Sequence, residues 1–151
     1  MGLTKPEREN AGQNYHSADF EPPNRWSELV TPHPRLGEVR GKIFLGKFLN
    51  LTGMEASLGH LPPGRGIPFL HSHKQNEELY FFLSGTGEMQ VDGVKIPIRP
   101  GTAIRIAPAG VRSWRNAGDE PMSYIVIQAK AGSLEQATGS DADVPSRPVE
   151  W

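Results

Sequence analysis

The stretch GRGIPFLHSHKQNEELYFFLSG, Gly64 to Gly85, decides the fold and the chemistry of this chain. His71 and His73 are two residues apart, so in extended backbone both imidazoles project from one face and present two nitrogen donors to a single point. Glu78 shares side-chain parity with Tyr80 and Phe82 on the following run, and a short turn over 74–76 would bring its carboxylate to the same place. Two histidines and one carboxylate with open positions is a donor set that suits non-haem Fe(II), Mn or a similar ion. An H-x-H string alone is weak, because exposed loop histidines produce it by accident.

Outward from this stretch, the chain from Val39 to about Lys130 reads as short β-rich runs divided by Gly and Pro. They are GKIFLGKFLN, MEASLGHL, PFLHSH, EELYFFLSG, GEMQV, VKIPIRPG, TAIRIAP, RSWRN and MSYIVIQAK. Asp92-Gly93 between two of them is a two-residue hairpin signal, and Pro97 and Pro100 belong at a strand edge or end. Many short strands with turns between them, and no alternation with helices, mean an all-β sandwich, barrel or jelly roll. Residues 1–37 are polar and Pro-studded without a sustained period and form an N-terminal arm, whose Tyr15, Phe20, Trp26 and Leu29 offer apolar anchors. Residues 38–131 form the barrel. Residues 132–151 are a polar C-terminal tail with a helical turn expected at Ser133 to Ala137.

Composition narrows the function classes. With Lys+Arg 16 against Asp+Glu 17 the net charge is -1, so there is no basic surplus to hold nucleic acid or an anionic membrane. Cys 0 removes disulfides, thiol nucleophiles and thiolate ligands, which agrees with a reducing compartment and leaves any metal to N and O donors. The start MGLTKPEREN has no apolar signal core, and no apolar run approaches the roughly 18 residues of a span. A cytoplasmic protein is expected.

The opening stretch resembles the first cupin motif, a His-x-His pair followed by Glu and then Gly: here His71, His73, Glu78 and Gly85. PGTAIRIAPAGVRSWRNAGDEP resembles the second, with Pro108, Gly110 and Asn116 in place but its histidine missing. The resemblance covers about Lys42 to Gln128. It implies a double-stranded β-helix, the jelly-roll barrel, with a ligand site in its mouth and a metal on His71, His73 and Glu78. Counting back four residues from Asn116, and two from Trp114, puts Arg112 where the family has its histidine; counting forward from Gly110 puts Ser113 there. The first count rests on strand residues and is preferred, so Arg112 is expected to face the cavity. There it would repel a divalent cation and pair with Glu78 or clamp a substrate carboxylate.

Metal, whether Fe, Mn, Ni or Zn, is therefore expected to be weakly held or absent. Candidate ligand-binding residues are Arg112, Trp114 and Tyr80, with Gln128 as an inward hydrogen-bonding group. His60 is either a replacement ligand or a strand-end histidine before Pro62-Pro63. Two functions stay open at this stage: a metal-dependent enzyme, oxygenase or isomerase-like, on a small organic or sugar-type substrate, and a metal-free ligand-binding or sensory module. Small barrels of this family commonly pair, so a homodimer is expected.

Overall fold

The computed structural model describes residues 2–34 and 36–151, with Thr138 described by its backbone only. Two antiparallel sheets stack face to face. The larger has the order β10-β7-β12-β6-β5, from β5 (Lys42–Phe44), β6 (Glu55–Leu61), β7 (Asn76–Ser84), β10 (Ala103–Ile106) and β12 (Met122–Lys130). The smaller has the order β11-β8-β9, from β8 (Gly87–Val91), β9 (Val94–Ile98) and β11 (Arg112–Asn116). Tyr80, Phe82, Tyr124 and Val126 from the large sheet pack with Met89, Ile98 and Trp114 from the small one in a single core. This is the double-stranded β-helix. The Asp92-Gly93 turn has both residues at positive φ, 50° and 83°, as a tight hairpin between β8 and β9 requires.

Period-2 alternation assigns each face. Along β12, Tyr124 and Val126 look into the barrel, while Ile125 looks out. The outward face of the large sheet is covered over β5, β6 and part of β12, while Leu79 and Phe81 of β7 stay exposed. Trp26 and Leu29 of the arm are buried there with Ile43 and Leu58, and Leu3, Phe20 and Phe48 pack around them. Trp26 Nε1 donates to Glu21 O at 2.6 Å, and Ser123 Oγ, on the same outer face, donates to Pro23 O at 3.0 Å. The arm thus docks on its own barrel.

Four local expectations are corrected. The arm is not free of regular structure: β1 (Arg8–Ala11) pairs with β2 (His16–Asp19), a 3₁₀ turn spans Pro23–Glu28, and β3 (Val30–His33) pairs with β4 (Gly37–Arg40). GKIFLGKFLN is not one strand, because β5 stops at Phe44 and a helical turn, α1 (Gly46–Leu49), follows; the Glu55 carboxylate accepts the Gly46 N–H at 2.8 Å and stabilises its start. PFLHSH is not a strand, since Pro68 has no N–H to give a ladder; the segment is tied to β11 by single bridges, His71 to Arg112 and Gly66 to Arg115. In the tail, the helical turn lies at Thr138–Asp141 rather than at Ser133 to Ala137. No helix among the described residues is long and apolar enough to cross a membrane.

Candidate metal and ligand site

β11 begins at Arg112, and its odd-even pattern turns Arg112, Trp114 and Asn116 inward and Ser113 and Arg115 outward. Asn116 fixes this register: its Nδ2 donates to Leu61 O at 3.0 Å and Glu120 O at 2.8 Å. Ser113 Oγ donates to Ile67 O at 2.8 Å, so it serves the backbone of the flanking segment. The Arg112 guanidinium has no solvent exposure. Its Nε lies 3.1 Å from Glu78 Oε2, its Nη2 bonds the same oxygen, and its Nη1 donates to Gly110 O at 2.9 Å.

Glu78 stands on the inner face of β7, and the hydroxyl of Tyr80, two residues on, donates to the same Oε2 at 2.6 Å. Burial pushes this carboxyl up, but the hydrogen bonds from Arg112 and Tyr80 and the guanidinium charge outweigh it and hold it below the usual range. Arg112 is likewise resisted by burial and held charged by Glu78. The other carboxylate oxygen, Oε1, faces His73 Nε2 at 3.1 Å without hydrogen-bond geometry.

The 71–73 segment reaches the site through backbone bonds to Arg112, at the start of β11, and to Pro108 in the loop before it. His71 N donates to Arg112 O at 3.1 Å, Arg112 N donates to His71 O at 2.9 Å, and His73 N donates to Pro108 O at 2.9 Å. The convergence expected of a strand is therefore achieved without one. Donor atoms of His71, His73 and Glu78 all lie within 4.8 Å of one another. His71 Nδ1 and His73 Nε2 are both buried with no hydrogen-bond partner among the described residues. Burial, then the charge of Arg112, lowers the pKa of His71, favouring the neutral ring that a metal requires.

Beside this cluster is a cavity of about 340 Å³ whose wall includes His71, Trp114, Tyr124, Phe44, Phe69 and Lys42. A shallower hollow of about 440 Å³ lies over Glu88, Ser113 and Arg115 on the outer face of the small sheet, and none of the metal-ligand candidates lines it. Tyr80 and Trp114 are core residues with ring centroids 4.9 Å apart, and of the two only Trp114 lines the cavity. Gln128 stands opposite Glu78 on the inner face, where its Oε1 accepts the Asn76 side-chain amide at 3.0 Å. His60 shares the outward parity of Leu58 and borders the cavity only at its rim beside Gly41; burial lowers its pKa.

Sequence reasoning missed Lys42. The register pairs it with Gly59 on the inner face of the large sheet, and burial lowers its pKa to about 8 against the opposing pull of Glu78 and Glu55. Its only available signal was inward parity with Phe44, which needs the pairing partner to be known.

The Cupin domain family profile matches residues 57–128. A solved cupin protein from Bacteroides fragilis is 50% identical with a TM-score of 0.67, over 69% of this chain and 88% of that one. The chain is 28% identical to a 5-nitrosalicylic acid 1,2-dioxygenase of Bradyrhizobium, over 71% of this chain and 48% of that protein. It is 26% identical to an oxalate-binding protein of Thermotoga maritima, over 67% of this chain and 88% of that protein. It thus spans about half the length of the dioxygenase and most of the oxalate-binding protein.

Proposed function

The chain belongs to the cupin superfamily, and from that premise we propose that its barrel mouth binds a small organic acid with the help of a weakly held divalent transition metal. In this role it is an oxygenase or isomerase-like enzyme. The observation that carries the proposal is the convergence of donor atoms of His71, His73 and Glu78 within 4.8 Å of one another, with His71 Nδ1 buried without a hydrogen-bond partner and His73 Nε2 buried 3.1 Å from Glu78 Oε1 without hydrogen-bond geometry. Orphaned buried polar atoms are rare in native proteins and ask for a partner. Two imidazoles and a carboxylate fit Fe, Mn, Ni or Zn. Bound there, such an ion would supply a Lewis acid that polarises a ligand oxygen or activates dioxygen.

The chain's own residues prepare that chemistry. His71 and His73 offer nitrogen donors, and burial with the Arg112 charge keeps His71 neutral. Arg112 and Tyr80 together occupy Glu78 Oε2, which orients the carboxylate and leaves Oε1 on the side of His73. Phe69 and Trp114 give the cavity apolar walls. The acids in the names of two relatives, 5-nitrosalicylic acid and oxalate, support the ligand class. The proposal also has the protein acting in the cytoplasm as a homodimer. A cysteine-free sequence supports the first, and unpaired strands at the sheet edges supply a surface for the second.

One observation favours a second reading, a metal-free ligand-binding or sensory module: the cation already on Glu78 is Arg112. Elemental analysis of protein purified without chelators, with Mn(II) titration followed by electron paramagnetic resonance, separates the two. Partial occupancy and weak uptake lost in His73→Ala support the metal site. A wild-type protein that takes up no ion supports the metal-free module.

A further inference from the structure

Lys42 is held in the barrel by a neighbour that has no side chain. It stands opposite Gly59, where a Cβ would collide with the ring of Tyr124. The ring fills that space, and Lys42 Nζ comes to rest 5.6 Å from its centroid and 5.4 Å from that of Phe44. Among the described residues Nζ has no hydrogen bond and no ion pair; Glu78 and Glu55 act on it only from a distance. A half-buried ammonium with only ring faces for company is poorly compensated, since cation–π contact replaces only part of its hydration.

The same amine lines the cavity of about 340 Å³, with Phe44, Phe69, Trp114 and Tyr124 around it and His71 on its wall. That volume is at the small end of the roughly 300–1,000 Å³ typical of ligand pockets, and admits about one ring with its substituents. Arg40, the other cation at the rim, is largely exposed and 3.9 Å from Glu38. A small, wholly polar diacid would leave the apolar wall unfilled. We propose that this cavity binds an aromatic monocarboxylate, its carboxylate on Lys42 Nζ and its ring among Phe44, Phe69, Trp114 and Tyr124. The assignment rests on the barrel mouth being an organic-acid site and adds the acid's class and the residue that selects it.

The test is isothermal titration of chelator-treated protein with benzoate and with its neutral isostere benzamide, in wild type, Lys42→Met and Lys42→Arg. Wild type is expected to prefer benzoate by about tenfold or more, the worth of a charge-assisted pair. Lys42→Met is expected to bring the ratio close to one while keeping benzamide binding, and Lys42→Arg to preserve the preference. In wild type, benzoate should also shield Lys42 from reductive methylation mapped by mass spectrometry, a readout independent of any variant's folding. Equal binding of the two probes, no benzoate binding up to millimolar concentration, a preference retained in Lys42→Met, or no shielding overturns the assignment. Mn(II) uptake measured without benzoate keeps the two proposals apart. If uptake is absent while the benzoate preference holds, the metal fails alone; if uptake is present without the preference, the Lys42 assignment fails alone.

Discussion

Replacing Arg112 by histidine should make the protein less stable and better at holding metal. The guanidinium is wholly buried, with two nitrogens on Glu78 Oε2 and a third on Gly110 O. Removing one partner of such a pair costs about 3–5 kcal/mol, and a new imidazole recovers only part, so the metal-free variant should lose about 2–4 kcal/mol. The effect on metal runs the other way. A unit charge on the far oxygen of the carboxylate is roughly 5 Å from a dication on the near one, which at an effective dielectric of about 20 is a repulsion of about 6–7 kcal/mol. Even a third of that relief is about 2 kcal/mol, or about a thirtyfold gain in Mn(II) affinity, before any ligand bond from the new ring. Urea unfolding in chelator and in saturating Mn(II), with Mn(II) titration by electron paramagnetic resonance, reads both quantities. The variant should be weaker than wild type in chelator and recover about 2–3 kcal/mol at a hundredfold excess over its Kd. Ser113→His is the control, because Ser113 faces outward onto Ile67 O. An Arg112→His protein that binds Mn(II) no more tightly than wild type, or a tight site created by Ser113→His, would refute the electrostatic reasoning.

Lys42→Met should stabilise the protein at neutral pH. With a folded pKa of about 8 against an ordinary 10.5, the folded chain releases a proton that the unfolded chain still holds, so stability rises with pH between those values and the full penalty applies below 8. A gap of that size corresponds to about 3 kcal/mol, so the variant should gain about 1–3 kcal/mol at pH 7 and almost nothing near pH 10.5; a gain that grows with pH in urea melts would contradict this. Trp26→Ala, which empties the cluster beneath the arm and drops the bond to Glu21 O, should cost about 3–5 kcal/mol. An unchanged thermal midpoint would mean that the arm contributes nothing to the fold. Light scattering should give twice the 16.6 kDa chain mass, and the monomer mass at micromolar concentration would count against the homodimer.

What the sequence made legible follows from where alternation is one-sided. In β7 the inward set Glu78, Tyr80 and Phe82 is continuous, and in β11 the markers Trp114 and Asn116 carry Arg112 inward with them. β6 is different. Ala56, Leu58 and His60 share one parity and are all buried, but Leu58 packs with Trp26 and Leu29 of the arm, while Leu61, of the other parity, packs in the barrel core. When both faces of a strand are covered, polarity no longer says which is the interior. Lys42 was hidden for a related reason. Its inward direction depends on pairing with Gly59, seventeen positions away, and a lysine near a strand end otherwise reads as solvated. His71 and His73 converge, yet through a bridge to Arg112 and a backbone bond to Pro108 that no local pattern encodes.

The ion pair between Arg112 and Glu78 also sets a charge balance for the mouth. The two cancel, His71 is biased toward neutrality, and Lys42 adds a further positive charge. A dication arriving there has no anion left to neutralise it except the one a ligand brings. Metal and acid are then linked species: the factor by which the acid tightens the metal is the factor by which the metal tightens the acid. Occupancy by either becomes a measure of the other, so the weak metal uptake of acid-free protein should tighten when the acid is added, and metal content would rise with the supply of acid.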